Sequence, residues 1–107
     1  MNYRTIKLLE IAHSRAGDKG DTSNLSLIPF NQKDYKWIKN EVTADRVKEH
    51  LKKIVQGEVI RYEIPSIHAF NFVCKHSLLG GVTTSLAIDT HGKSLSSALL
   101  EMEIKVP

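Results

Sequence analysis

The spacing of the apolar residues changes at Gly57, and this change constrains the fold more than any other feature of the chain. Before Gly57, the residues Val47, Leu51 and Ile54 recur at the spacing of one helix face, with charged residues between them. After Gly57, residues 59–64 alternate between two faces, as they do in a strand. A helix followed directly by a strand in a chain of 107 residues indicates an α+β protein.

The ends of this helix are predicted from its flanking residues. Thr43 is expected to be the N-cap, because its hydroxyl can accept a hydrogen bond from the first turn. Val42 and Val47 stand at the spacing of a hydrophobic staple around that cap. Gly57 is expected to be the first residue beyond the helix.

The remaining elements are predicted from apolar runs and turn residues. Strands are expected at residues 5–13, 25–30, 67–78, 82–89 and 102–106. A short helix or a turn is expected at residues 31–40, and a short helix after Ser94. In the long strand, the even-numbered side chains are expected to face the core because they include both phenylalanines. They are His68, Phe70, Phe72, Cys74, His76 and Leu78.

Length and composition indicate a single compact domain over residues 1–107, because 41% of the residues are hydrophobic. A lone cysteine excludes an internal disulfide framework. No apolar run is long enough to span a bilayer and no secretory signal is recognised, so a cytoplasmic location without a membrane contact is expected. The formal charge of +3 is interleaved with acidic residues, which argues against nucleic acid as a partner.

The polar stretch at residues 13–24 is the main candidate site. It lies between two apolar runs and is predicted to be a loop that joins two strands. Gly17 and Gly20 can adopt a positive φ and can expose backbone N–H groups to an anion or a carboxylate. The alternative is a turn that is solvated by its own side chains.

Charged residues accompany these glycines. Arg15 and Lys19 are expected to add charge-assisted hydrogen bonds to a ligand, and Asp18 and Asp21 are expected to orient those two side chains. No acid or base in the stretch stands out as a catalytic pair. His13 and Asp21 are the only candidates for a general base.

Other motifs indicate structure more than chemistry. Residues 87–94 end in Gly-Lys-Ser, but Ala87 replaces the first glycine of a phosphate-binding loop, so a strand-to-helix turn is expected there. Cys74 and His76 stand two residues apart on the predicted strand, and Cys74 is expected to be a buried structural thiol. The histidines lack the spacing of metal ligands, so neither a metal nor a cofactor is expected.

Three groups of residues together resemble a known family. They are Arg15 to Asp21 with Asn24, then Asn71-Phe72-Val73, then Gly80-Gly81-Val82-Thr83 with Ser85-Leu86, Asp89 and Gly92 to Leu95. In order and spacing these residues resemble the small AtuA-like domain of acyclic terpene utilisation proteins, over about residues 8–107.

The resemblance implies a ferredoxin-like α+β sandwich, with a mostly antiparallel sheet and helices packed on one face. Such a module commonly forms the C-terminal part of a larger protein that is linked to the breakdown of branched terpenoid or acyl-CoA compounds in bacteria. The sequence departs from the family at Leu79, where many relatives have a third glycine, and at Thr84, where they have a basic residue. Lys75 or Lys93 would have to replace that basic group if it meets an anion.

These observations lead to three functional hypotheses. The first is an accessory domain or subunit of a bacterial catabolic system, which binds an anionic group where residues 17–20, Gly80 and Gly81 converge with Asn71. The second is a small hydratase or isomerase that uses His13 or Asp21 as its base. The third is a structural oligomerisation module. A separately encoded larger AtuA-type domain is a possible partner, and self-association, most simply as a dimer, is expected to cover exposed apolar surface.

Overall fold

The computed structural model describes residues 3–19, 22–77 and 95–107, with the backbone alone for residues 18 and 19. Within these ranges the chain forms strands, α-helices and three 3₁₀ turns. The strands and α-helices are β1 (Arg4–Lys7), β2 (Ala12–His13), β3 (Ala16–Lys19), β4 (Thr22–Pro29), α1 (Tyr35–Glu41), α2 (Ala44–His50), β5 (Val59–Ile64), β6 (Ala69–Cys74), α3 (Leu95–Leu100) and β7 (Glu103–Val106). The 3₁₀ turns are Leu8–Glu10, Gln32–Asp34 and Pro65–Ile67.

The strands form two antiparallel sheets. The main sheet has the order β2–β4–β6–β5, and β3 also pairs with β4. β2 and β3 lie one after the other along the same edge of β4, because β6 occupies its other edge. β1 and β7 form a separate two-stranded sheet. The mixture of helices and antiparallel strands confirms the predicted α+β class.

The hydrophobic core lies between one face of the main sheet and the three helices. Leu25 and Leu27 of β4 are fully buried, as are Phe70 and Phe72 of β6. They form one cluster with the buried side chains of the helices and of the small sheet. Those side chains are Ile38 of α1, Val47 of α2, Leu95 and Leu99 of α3, Ile6 of β1, and Ile104 and Val106 of β7. The helices therefore cover one face of the sheet, as predicted.

The predicted first strand at residues 5–13 is wrong, because the chain passes there from one sheet to the other. β1 ends at Lys7, and the Lys7 N–H donates to Oε2 of Glu10 at 3.1 Å across the 3₁₀ turn. The Leu8 N–H donates to the carbonyl of Met102 at 2.9 Å, beside β7. The chain then re-enters the main sheet as β2, where His13 lies opposite Ile28.

The start of the long helix is confirmed, and its end is wrong. The Thr43 hydroxyl accepts from the Arg46 N–H at 3.2 Å, as an N-cap does. α2 ends at His50, several residues before Gly57. The glycine instead allows a close approach to the chain after β6, because a Cβ at Gly57 would lie 2.6 Å from the carbonyl oxygen of Lys75.

The predicted strand at residues 67–78 is shorter in the structure, and its core face is confirmed only in part. Phe70, Phe72 and Cys74 are buried. His68 and His76 stand outside β6, each with a φ of 53°, and therefore do not continue the core face. A residue in the left-handed region cannot keep the extended backbone, and this is where the strand begins and ends.

Other predicted elements have mixed outcomes. The helix within residues 31–40 is confirmed by α1, and the closing strand is confirmed by β7. The predictions for residues 78–94, including the strand at residues 82–89 and the Ser94 cap, lie outside the described residues. No helix in the described ranges is both long and apolar enough to cross a membrane.

Candidate functional site

The polar stretch at residues 13–24 is mostly strand, so the prediction of a connecting loop is wrong. β3 pairs with β4 in an antiparallel hairpin, where Gly17 lies opposite Asn24 and Lys19 lies opposite Thr22. β4 begins at Thr22 and pairs with β6 along its other edge. Strands on both sides therefore hold Ser23 and Asn24 in extended form, despite their polar composition.

The hairpin brings polar side chains to the face of the main sheet that points away from the helices. Leu25 and Leu27 enter the core, so Asn24 and Ser26 lie on the opposite face. The register places Ser26 directly opposite Asn71 of β6. We call this surface the outer face.

One row of residues crosses the outer face from edge to edge. Ser26 lies opposite Asn71, and Asn71 lies opposite Tyr62 of β5. Arg15 continues the row on the other side of Ser26, because the Ser26 N–H donates to the carbonyl of Arg15 at 2.9 Å. The Arg15 N–H donates to Oγ of Ser26 at 3.0 Å, which fixes the end of the row. We call Arg15, Ser26, Asn71 and Tyr62 the central row.

Asn24 lies beside the central row. It is opposite Val73, two residues along β6 from Asn71, so the two carboxamides are diagonal neighbours on adjacent strands. Asn24 is exposed and Asn71 is half-buried. Each carboxamide supplies two N–H donors and a carbonyl acceptor at the surface of a rigid sheet.

The Asn24 side chain lies beside Gly17 across the hairpin. A Cβ at Gly17 would stand 3.4 Å from Oδ1 of Asn24 and 3.8 Å from Nδ2. A Cβ at position 17 would therefore meet the carboxamide at ordinary van der Waals distance. Gly17 therefore lies in a paired strand opposite Asn24, whereas the sequence had suggested a flexible loop.

His13 lies apart from this group, at the end of the outer face. It is exposed, and its ring stacks on the ring of Phe30 with centroids 5.6 Å apart and an interplanar angle of 22°. Within the described residues, no carboxylate or hydroxyl hydrogen-bonds to the imidazole. In the described part of the chain, His13 therefore has no carboxylate or hydroxyl partner that would orient it as a general base.

The structure brings together four of the residues predicted for the site: Arg15, Gly17, Asn24 and Asn71. Gly20, Asp21, Gly80 and Gly81 lie outside the described residues, and the side chains of Asp18 and Lys19 do too. Sequence reasoning missed Ser26 and Tyr62. The alternation of side chains along β4 and β5 was the available signal for these two residues. The strand register was also needed to place them in one row.

The Cys74 thiol is buried at the end of β6 and faces the core. Burial raises its pKa to about 11, so the thiol is protonated at neutral pH and is a poor nucleophile. The prediction that Cys74 is buried is confirmed. Among the described residues, no group of three or more His, Cys, Asp or Glu side chains could hold a metal ion.

A cleft of about 520 Å³ lies elsewhere, between β1, α2 and the segment that enters β7. Several of its polar side chains already have partners within the fold. Lys7 Nζ donates to Oε1 of Glu101 at 2.7 Å, and this carboxylate raises the pKa of Lys7. His50 Nε2 lies 2.7 Å from the carbonyl oxygen of Ala98. The cleft therefore presents fewer free polar groups to a ligand than the outer face does.

Comparison with known proteins gives one match. A family model described as the AtuA ferredoxin-like domain matches residues 6–105, which is nearly the whole chain. No curated protein and no solved structure matches this chain. The match agrees with the antiparallel sheet and its helix-covered face, and it confirms the ferredoxin-like fold. The chain belongs to the family of AtuA ferredoxin-like domains.

Proposed function

We propose that this chain is an accessory domain or subunit of a catabolic system that acts on acyl-CoA or branched terpenoid-derived carboxylated compounds. In this proposal the outer face binds the anionic part of the compound. Family membership supports the kind of system, since the family name refers to acyclic terpene utilisation. A fold does not supply a mechanism, so the chemistry of the site must support the ligand class.

The central row is the observation that carries the proposal. It places a guanidinium, a hydroxyl, a carboxamide and a phenol side by side across one rigid surface. A guanidinium and an amide N–H donate to the oxygens of a phosphate or a carboxylate, and the guanidinium bond is charge-assisted. Because the groups stand on paired strands, their spacing is fixed before a ligand arrives.

Apolar side chains flank the central row and suit an acyl group. Ile60 and Val73 lie opposite each other on one side of the row, and both are half-buried. Ile28 is half-buried on the other side. A branched acyl chain that lies along these residues would keep its carboxylate or its phosphates over the polar groups.

Binding is favoured over catalysis by the same residues. The outer face offers donors and acceptors, and its described side chains include no nucleophile that is hydrogen-bonded to a base. The cysteine faces the core. An accessory domain of this kind would position a substrate or hold a product for a catalytic domain, and it would need no reactive group of its own.

Isothermal titration calorimetry with an acyl-CoA, coenzyme A and a branched carboxylic acid tests the proposal. Arg15→Ala and Asn71→Ala should each weaken binding about tenfold, which corresponds to about 1.4 kcal/mol. Arg4→Ala is the matched control, because Arg4 is an exposed arginine on β1, outside the main sheet. Equal affinity in all these proteins, or no binding of any of the three compounds, would contradict the proposal.

Lys19→Ala extends this test to the hairpin. Lys19 lies opposite Thr22 at the end of β3, in the same strand as Gly17. We expect this variant to lose anion binding while its melting temperature stays nearly unchanged. A large loss of thermal stability with unchanged affinity would show that the hairpin is structural.

The accessory role can be examined in the genome. A separately encoded protein that resembles the larger AtuA-type domain, in a neighbouring reading frame, would support a two-component system. The two purified proteins should then form a complex on mixing, or the ligand affinity of one should change when the other is added. Neither effect would be seen if the chain acts alone.

A further inference from the structure

β5 is the last strand of the main sheet in the described part of the chain, and its outer edge carries backbone groups that can pair. The Lys75 N–H, just after β6, donates to the carbonyl of Glu58 at 2.9 Å. Hydrogen-bonded residues alternate along an antiparallel pair, so Ile60, Tyr62 and Ile64 are the residues of β5 that bond to β6. The N–H and C=O groups of Val59, Arg61 and Glu63 therefore point away from β6. No other described strand pairs with them.

The outer-face side chains of β5 carry no charge that would keep a second strand away. On the outer face they are Ile60, Tyr62 and Ile64, and Tyr62 is 51% exposed while Ile64 is 37% exposed. Natural edge strands usually carry lysine, proline or a bulge that prevents pairing with another chain. An exposed apolar row along a free edge is instead typical of a surface that is covered by another strand.

The small sheet of β1 and β7 shows how this chain covers a strand edge with its own side chains. The Lys105 N–H of β7 donates to Oε1 of Glu41 at 2.8 Å, and Nη2 of Arg46 donates to the carbonyl of Glu103 at 3.0 Å. Side chains from the helical side thus occupy the groups that an added strand would use. β5 has no such cover among the described residues.

The sequence of β5 is self-complementary for antiparallel pairing about Tyr62. A two-fold axis at Tyr62 places Arg61 opposite the partner's Glu63 and Ile60 opposite the partner's Ile64. The two tyrosines then face each other as a non-hydrogen-bonded pair, and the outward groups of Arg61 and the partner's Glu63 exchange backbone hydrogen bonds. Opposite charges and apolar side chains at facing positions both stabilise such a pair of strands.

The side chains of Arg61 and Glu63 are already ordered by contacts within the chain. Arg61 Nη1 donates to the carbonyls of Lys39 and Val42 at 2.7 and 3.0 Å, and Nη2 lies 3.2 Å from Oε2 of Glu63. The guanidinium is mostly buried, with 17% of its side chain exposed. Little side-chain entropy remains to be lost when the partner's glutamate approaches.

We propose that β5 is the interface of a homodimer, in which two copies pair antiparallel about Tyr62 to form one continuous sheet. A second copy is favoured over an unrelated peptide because the charges and apolar residues of β5 match those of β5 itself. The two-fold axis is perpendicular to the sheet, so both outer faces open on the same side. The two central rows then join end to end through Tyr62. This inference does not depend on which ligand the outer face binds.

Light scattering after size exclusion, at high micromolar concentration, tests the dimer. The wild-type protein should be dimeric and Tyr62→Lys should be monomeric, because two lysines would meet on the two-fold axis. Tyr3→Lys is the matched control, since Tyr3 is an exposed tyrosine away from the main sheet, and it should remain dimeric. Circular dichroism checks that both variants are folded.

Cross-linking tests the register. The Cα atoms of a non-hydrogen-bonded antiparallel pair lie about 4.5 Å apart, which a disulfide can span. Tyr62→Cys should therefore form a covalent dimer on oxidation, and Ile60→Cys should not, because it would face the partner's Ile64. The proposal is overturned by a monomeric wild-type protein, by a Tyr62→Lys variant that remains dimeric, or by cross-linking at position 60 but not at position 62.

Discussion

Glu41 and Arg46 together cover the outer edge of β7. One carboxylate oxygen of Glu41 accepts from the Lys105 N–H at 2.8 Å and from Nη1 of Arg46 at 3.2 Å. Arg46 also donates to the carbonyls of Glu41 and Glu103, at 2.8 and 3.0 Å. Two side chains from the helical region therefore satisfy backbone groups of a strand that, in the described part of the chain, is paired only with β1.

Removal of this cover should destabilise the protein. Arg46→Ala loses bonds to two carbonyls and to a carboxylate, and we expect the free energy of unfolding to fall by about 1–2 kcal/mol. Glu41→Gln keeps the acceptor oxygen and should have a smaller effect. Lys52→Ala is the control, because its ion pair with Glu49 is exposed and contributes less than about 0.5 kcal/mol. Urea titration measures all three, and equal losses for Arg46→Ala and Lys52→Ala would show that the cover does not stabilise the fold.

Leu51 follows α2 and is buried among the core side chains, with 1% of its surface exposed. Leu51→Ala should lower the free energy of unfolding by about 2–5 kcal/mol, because it removes buried apolar area and leaves a cavity. Lys53→Ala, two residues away and exposed, should change it little. A loss below about 1 kcal/mol for Leu51→Ala in a reversible denaturant titration would contradict this packing.

Two glycines should respond very differently to alanine. At Gly57 the new Cβ would lie 2.6 Å from the carbonyl oxygen of Lys75, where the backbone must move. At Gly17 it would lie 3.4 Å from Oδ1 of Asn24, the end of a flexible side chain. We expect Gly57→Ala to cost about 1–3 kcal/mol and Gly17→Ala clearly less, as measured by thermal unfolding. A larger loss of stability for Gly17→Ala than for Gly57→Ala would contradict the close approach at Gly57.

Burial of Cys74 makes stability depend on alkaline pH. The pKa of this thiol is raised from 9.0 to about 11, so the folded state favours the protonated form. The resulting stabilisation is fully present below pH 9 and is lost as the pH rises from 9 to 11. The difference in melting temperature between the wild type and Cys74→Ala should narrow over that range. A constant difference would contradict the raised pKa, as would rapid reaction of the native thiol with a thiol reagent at neutral pH.

The parts of the fold that depend on local chemistry were predictable from the sequence. Thr43 caps α2 because its hydroxyl accepts from an N–H three residues later. This contact depends only on residues that are close in sequence. The alternation around Phe70 and Phe72 placed the core face of β6 correctly. The class of fold followed from these two elements and from the residues that resemble the family.

The errors came from contacts between distant segments. The polar stretch reads as a loop, but its pairing with β4 makes it a hairpin, and glycine and aspartate give no local sign of that. The helix seemed to end at Gly57, but that glycine instead meets the carbonyl of Lys75, 18 residues away. Tyr62 joined the candidate site only through the register of β5 with β6.

Nuclear magnetic resonance of the ¹⁵N-labelled protein, titrated with a branched acyl-CoA, tests the central claim most directly. The account predicts saturable shifts of amide signals that concentrate on the outer face, at Gly17, Asn24, Ser26 and Asn71, with little change elsewhere. Coenzyme A and the free acid, titrated separately, show which part of the compound produces them. The absence of saturable shifts, or shifts confined to the cleft around Lys7, would contradict the account.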